Sequence, residues 1–257
     1  MKNKKYHLTI LVVLTLVLLA ALTACSSTEV AASQTQQRNG SNQKARAEDI
    51  TTVDSQGNTS IDPINLQSNL AVSGELSEDE ITGLLFMREE EKLAHDVYLA
   101  LYEKWGLSIF QNIANSEQTH IDAVKSLLDA YGIEDPAAGT APGEFVNADL
   151  QALYDKLIEQ GNQSLSEALK IGAAIEEIDI LDLEKHLAQT DNASISMVYE
   201  NLMKGSRNHL RSFTSTLNKQ TGETYQPQYL STDAYQSILG SGIESSGNGN
   251  QNRRSGI

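Results

Sequence analysis

Between Phe110 and Tyr131 the chain sets two ionisable residues inside an apolar helical stripe. Phe110, Ile113, Glu117, His120, Val124, Leu127 and Tyr131 follow one another at steps of three and four, which places them on one face of an α-helix. A carboxylate and an imidazole in the middle of a buried face need partners, because an unsatisfied buried polar group costs about 1–3 kcal/mol. Whatever this chain folds into must bring matching groups to Glu117 and His120.

The same spacing recurs on three other long segments. Leu84, Met87, Glu91, Ala94, Tyr98, Leu101 and Trp105 form one stripe, opened by Ser77 and Glu80 in a capping-box arrangement and closed by Gly106. Arg88, Glu89, Glu90 and Lys92 fall off this stripe and are expected to be solvated. From Ser164 to about Gln189 a third helix is apolar on two sides. Glu176 lies on one apolar line and Glu177 beside the other, so periodicity leaves both as candidates. The fourth runs from Ala193 to about Gln220 with Tyr199, Leu202, Ser206, His209, Phe213 and Thr216 inward. Between the second and third helices, residues 133–145 carry Pro136, Gly139, Pro142 and Gly143 and read as loop. A shorter helix is expected from Asn147 to Gln160. Tyr225, Leu230, Tyr235 and neighbouring apolar residues are placed across the bundle. The expectation is an all-α four-helix bundle with a long crossover that contains a short extra helix. No strand pattern, phosphate-binding glycine loop or nucleophile elbow is visible.

The expected domain covers residues 74–240. Residues 1–24 read as a targeting segment: Lys2, Lys4 and Lys5 precede the apolar run Leu8–Leu22. Residues 25–73 are rich in Ser, Thr, Gln, Asn and Gly and read as a disordered tether, as do residues 241–257 as a tail. The net charge of −15 argues against nucleic acid as a partner. One cysteine, Cys25, excludes an intrachain disulfide and a cysteine-based metal site.

Two resemblances sharpen this reading. Leu22-Thr23-Ala24-Cys25 resembles the lipobox of bacterial lipoproteins, which implies cleavage before Cys25, acylation of that cysteine and anchoring to a membrane at the cell envelope. Glu91-Lys92-Leu93-Ala94 with Tyr98 is similar to the first-helix motif of rubrerythrins, and Glu117-Gln118-Thr119-His120 to their second-helix motif. The run from Leu76 to Leu239, including MREEEKLAHDVY and KGSRNHLRSF, resembles a bacterial and archaeal family of ferritin-like domains of unknown function. The resemblance implies a ferritin-like fold and a metal site of iron or manganese, one or two ions, built from Glu91, Glu117, His120, Glu176 or Glu177, and His209. Oxygen or peroxide redox chemistry would follow if the ions cycle. One departure is plain: where rubrerythrins carry Glu three residues before the last histidine, this chain has Ser206. The second reading is therefore a metal-free relic of the fold serving as an envelope interaction or structural module. In it Glu117 and His120 pair in a buried network with Tyr98 or Tyr199. His95, one turn after Glu91, is expected to face a helix boundary, and His186 to lie on the surface. A homodimer and the protein partners stay open.

Overall fold

The computed structural model describes residues 49–54 and 57–245. Two short strands, β1 (Thr51–Val53) and β2 (Thr59–Ile61), precede seven helices: α1 (Pro63–Asn69), α2 (Glu78–Trp105), α3 (Ser108–Tyr131), α4 (Ala148–Gly161), α5 (Leu165–Leu187), α6 (Ala193–Thr221) and α7 (Thr232–Gly240). The expected all-α character holds, and the long helices lie where the periodicity puts them.

Local chemistry sets their ends. Ser77 and Glu80 form the reciprocal capping box on α2. Asn147, Ser164 and Asn192 accept backbone N–H groups at the starts of α4, α5 and α6. Gly106 ends α2 with a left-handed φ of 66° that returns the chain directly into α3. The closest packing is within the pairs α2–α3 and α5–α6, and the pairs meet along α3–α6 and α2–α5. Leu84, Met87, Phe110, Ile113, Leu183 and Phe213 are among the side chains fully buried between them. The crossover from α3 to α5 carries α4 over α2 and α5.

Three expectations are corrected. The stretch read as tether contains an antiparallel hairpin, pairing Thr51 with Ile61 and Val53 with Thr59, and then α1. Several of its polar groups bond to helix side chains. The Ile61 N–H donates to Thr119 Oγ1 at 3.0 Å, the Thr59 N–H donates to Ser116 Oγ at 3.2 Å, and Thr51 Oγ1 donates to Asn201 Oδ1 at 2.7 Å. Ile50, Ile61 and Leu66 are buried with the core. Cys25 and the leader lie outside the described residues.

The second correction concerns α2. Arg88, Glu89 and Glu90 are buried, not solvated. The crossover covers this face: Glu89 accepts the Val146 N–H at 2.5 Å, Arg88 pairs with Asp135 at 2.9 Å, and Lys92 donates to the Ala141 and Glu144 carbonyls. His186 is also buried, with its ring against Gly83 and Phe86.

Gly172 lets α5 and α6 approach. A Cβ there would lie 2.5 Å from Phe213 Cε1. Replacing Gly by Ala in a helix ordinarily stabilises by roughly 0.5–1 kcal/mol. At this position the sign should reverse, because forcing extra volume into a close-packed core typically costs about 1–3 kcal/mol. Thermal unfolding of Gly172→Ala should show a lowered Tm, while Gly240→Ala, with open space around its Cβ, should not. An unchanged or raised Tm for Gly172→Ala would contradict the packing described.

Candidate metal centre

Each long helix delivers ionisable groups to one level of the core. α2 supplies Glu91, α3 supplies Glu117 and His120, α5 supplies Glu176 and Asp179, and α6 supplies Ser206 and His209. All are buried. Glu117 is central. Its Oε2 lies 2.7 Å from His120 Nδ1 and its Oε1 lies 2.9 Å from His209 Nδ1. The imidazoles stack with centroids 5.7 Å apart. Glu91 approaches His120 Nδ1 at 3.3 Å, and Glu176 approaches His209 Nδ1 at 3.5 Å.

These contacts resolve into two trios. Glu91, Glu117 and His120 form one, and Glu117, Glu176 and His209 the other; in each, the ligand-type atoms lie within 4.8 Å of one another. Glu117 belongs to both. Carboxylate oxygens with imidazole nitrogens suit iron, manganese and zinc, so these clusters could hold metal ions. The close approach of Glu117 Oε1 to His209 Nδ1 is not an aligned hydrogen bond, and neither atom has another hydrogen-bond partner among the described residues. Glu91 Oε1, His120 Nε2 and Asp179 Oδ1 are likewise buried without one.

Surrounding groups fix the ligand geometry. Tyr98 donates its hydroxyl proton to Glu176 Oε1 at 2.6 Å. Thr59 Oγ1 meets His209 Nε2 at 2.9 Å, so the hairpin orients that ring. Gly205 leaves room for the other: a Cβ there would stand 2.7 Å from His120 Cε1. Ser206 Oγ bonds both Asp179 Oδ2 and the Leu202 carbonyl.

Burial alone would raise the Glu117 carboxyl, but the charges of His209 and His120 outweigh it and hold the group well below the usual carboxylate range. Burial would lower both histidines. Glu117 and Glu176 overcome this for His209 and raise it to about 10, and Glu117 with Glu91 raises His120 well above the ordinary value. Burial, reinforced by Glu117, pushes Glu176 up to about 7, and burial also raises Glu91 and Asp179.

The structure decides between the two adjacent glutamates of α5. Glu176 faces the site. Glu177 faces away, and its Oε2 accepts the N–H groups of Gln228, Tyr229 and Leu230 at 2.6–3.0 Å, tying the segment before α7 to the bundle. His95 also lies outside the site, with Nδ1 against Asp96. Sequence reasoning missed the part played by Thr59. Asp179 did leave a signal, since it follows Glu176 by three residues and so shares its helix face.

Residues 80–242 match the family model described as an uncharacterized protein domain, DUF2202. The uncharacterized protein MJ0754 of Methanocaldococcus jannaschii is 56% identical over 169 residues, covering 66% of this chain and 91% of that protein. The crystal structure of hypothetical protein MJ0754 from Methanococcus jannaschii superposes with a TM-score of 0.67 at 54% identity, over 68% of this chain and all of that one. On the extent of these matches, the chain belongs to the DUF2202 family.

Proposed function

We propose that this protein is a ferritin-like bundle whose two acid–histidine trios, sharing Glu117, would hold iron or manganese. The observation that carries the reading is the shared carboxylate: two acid–histidine trios meet at Glu117. Glu91, Glu117 and His120 would hold one ion, and Glu117, Glu176 and His209 the other. Such ions, when bound, supply exchange of electrons with oxygen or peroxide. The protein's own part is to hold the ligands. Tyr98 fixes Glu176, Thr59 fixes His209, and the apolar walls exclude bulk water. The direct 2.7 Å contact between Glu117 and His120 favours the second reading, a metal-free structural module.

Elemental analysis of protein produced with iron, manganese and zinc all supplied separates the two. About two ions per chain are expected for a bridged pair. Glu117→Ala should lose both, because both trios need it, while His209→Ala should lose the ion of its own trio. Retained helicity by circular dichroism would exclude simple unfolding. A wild-type protein that is folded and metal-free would leave the structural module as the reading.

Metal binding should also depend on pH. The neighbouring carboxylates raise both imidazoles, His209 to about 10, and burial raises Glu176 to about 7. An ion needs neutral imidazole and ionised carboxylate, so binding displaces protons. The sign follows: affinity falls as pH drops below about 7 and Glu176 gains its proton, and it rises as pH climbs toward the raised value of His209. Titration with Mn2+ should show affinity increasing by roughly tenfold or more from pH 6 to 8, with net proton release. A flat profile would count against this ligand set.

We further infer that the protein is anchored at the cell envelope through lipid on Cys25. The support is the charged start, apolar run and lone cysteine of the leader. No helix among the described residues is long and apolar enough to cross a membrane. Metabolic labelling with a fatty-acid analogue should tag the wild type and leave Cys25→Ala untagged. A wild-type protein that takes up no label would contradict a lipid anchor.

A further inference from the structure

Glu90 is the buried acid that the metal centre leaves unexplained. It is 4% exposed, and neither of its carboxylate oxygens has a hydrogen-bond partner among the described residues. Its neighbours are acids: Asp179 and Asp182 on α5, and Glu91 beside it on α2, all within electrostatic reach. Asp179 Oδ1 is also buried without a hydrogen-bond partner among the described residues. An ionised carboxylate here would be costly, and burial with the neighbouring Asp179 and Asp182 holds the Glu90 carboxyl well above the usual carboxylate range. A cation among these acids would stand in place of the proton they otherwise keep.

The placement of these acids gives them a direction. The Asp182 side chain is 25% exposed and pairs loosely with the exposed Lys185 at 3.6 Å. Glu90 is 4% exposed and Glu91, a member of the first trio, is 2% exposed. The acids therefore lead from solvent to the centre along the seam between α2 and α5. On the opposite seam, between α3 and α6, β2 covers the site, with Thr59 on His209 and on Ser116. Along the α2–α5 seam the core is closed on one side by Tyr98, bonded to Glu176 and Gly172, and on the other by His186 against Gly83. Asp182 and Glu90 lie between these two contacts.

We propose that Asp182, Glu90 and Asp179 form a port through which divalent cations reach the buried pair. Asp182 captures the hydrated ion, Glu90 takes it as water is shed, and Asp179 passes it to the first trio. A line of acids with low-dielectric walls raises the local cation concentration and the rate of association. The proposal rests on the metal-binding reading, and its test keeps the two apart.

Full-length protein in detergent, stripped by chelator, is mixed rapidly with Co2+, and uptake is followed by the cobalt absorption bands. Glu90→Gln keeps the shape of the side chain, and Asp182→Asn alters a partly exposed position where folding is least at risk. Both should slow uptake by roughly tenfold or more, the lower end of what focusing by charge of one sign contributes. The final cobalt content and spectrum should match the wild type. Added salt should slow the wild type more than the variants. Wild-type rates in both variants would overturn the port and leave the metal centre standing. A lower final cobalt content would also overturn it, because the cluster would then hold an ion rather than pass it. If wild-type protein takes up no cobalt, the metal-binding reading fails, and the port with it.

Discussion

The core of this bundle is organised around one buried carboxylate, Glu117, held against two imidazoles. An isolated ionised carboxylate in an apolar interior is prohibitively costly. Here His120 and His209 approach its two oxygens from α3 and α6. The arrangement ties neighbouring helices together at mid-height and sets their register, because a shift by one residue would turn each group out of the core by roughly a hundred degrees. Buried charge of this kind is weak evidence for stability, but it can specify one packing among several.

The walls follow from that centre. Two imidazole rings need space, and α6 supplies it with Gly205 beside His120. The outer nitrogen of His209 needs a partner, and the hairpin supplies Thr59. Tyr98 satisfies the outer oxygen of Glu176 and raises its own hydroxyl well above the usual tyrosine range, mainly through burial and the neighbouring Glu176 charge. Each support comes from a different element, so the site is held by tertiary structure and not by one motif. That is the condition for ligands fixed before a cation arrives.

The long helices were legible in the sequence because their faces repeat at helical spacing and their ends carry Ser, Asn and Gly at the positions that capping requires. Glu91, Glu117, His120 and His209 were legible for the same reason, as polar residues interrupting apolar stripes. Three features were not, each for a physical cause. Glu176 and Glu177 are adjacent on a helix buried on two sides, so periodicity could not rank them; the N–H groups of Gln228 to Leu230 do. Arg88 and Glu89 read as surface because the crossover that buries them lies about fifty residues away in the chain, and Glu90 because the α5 acids it faces lie about ninety residues away. The hairpin read as tether because its buried faces rest on threonine as much as isoleucine, and threonine counts as polar until it finds an acceptor such as Asn201.

The departure at Ser206 has a structural counterpart. Ser206 on α6 donates to Asp179 Oδ2 on the facing α5. Asp179 lies outside both trios yet is close enough to Glu91, Glu176 and Glu117 for their charges to raise it. α6 thus brings a hydroxyl to this level of the core, and the acid beside it comes from α5, one helical turn from Glu176. What a buried cation would meet is the set of oxygens in the cavity, whichever helix bears them. Counting acids along the motif of a single helix undercounts the charge that the fold assembles, and it is the assembled charge that any cation held there would balance.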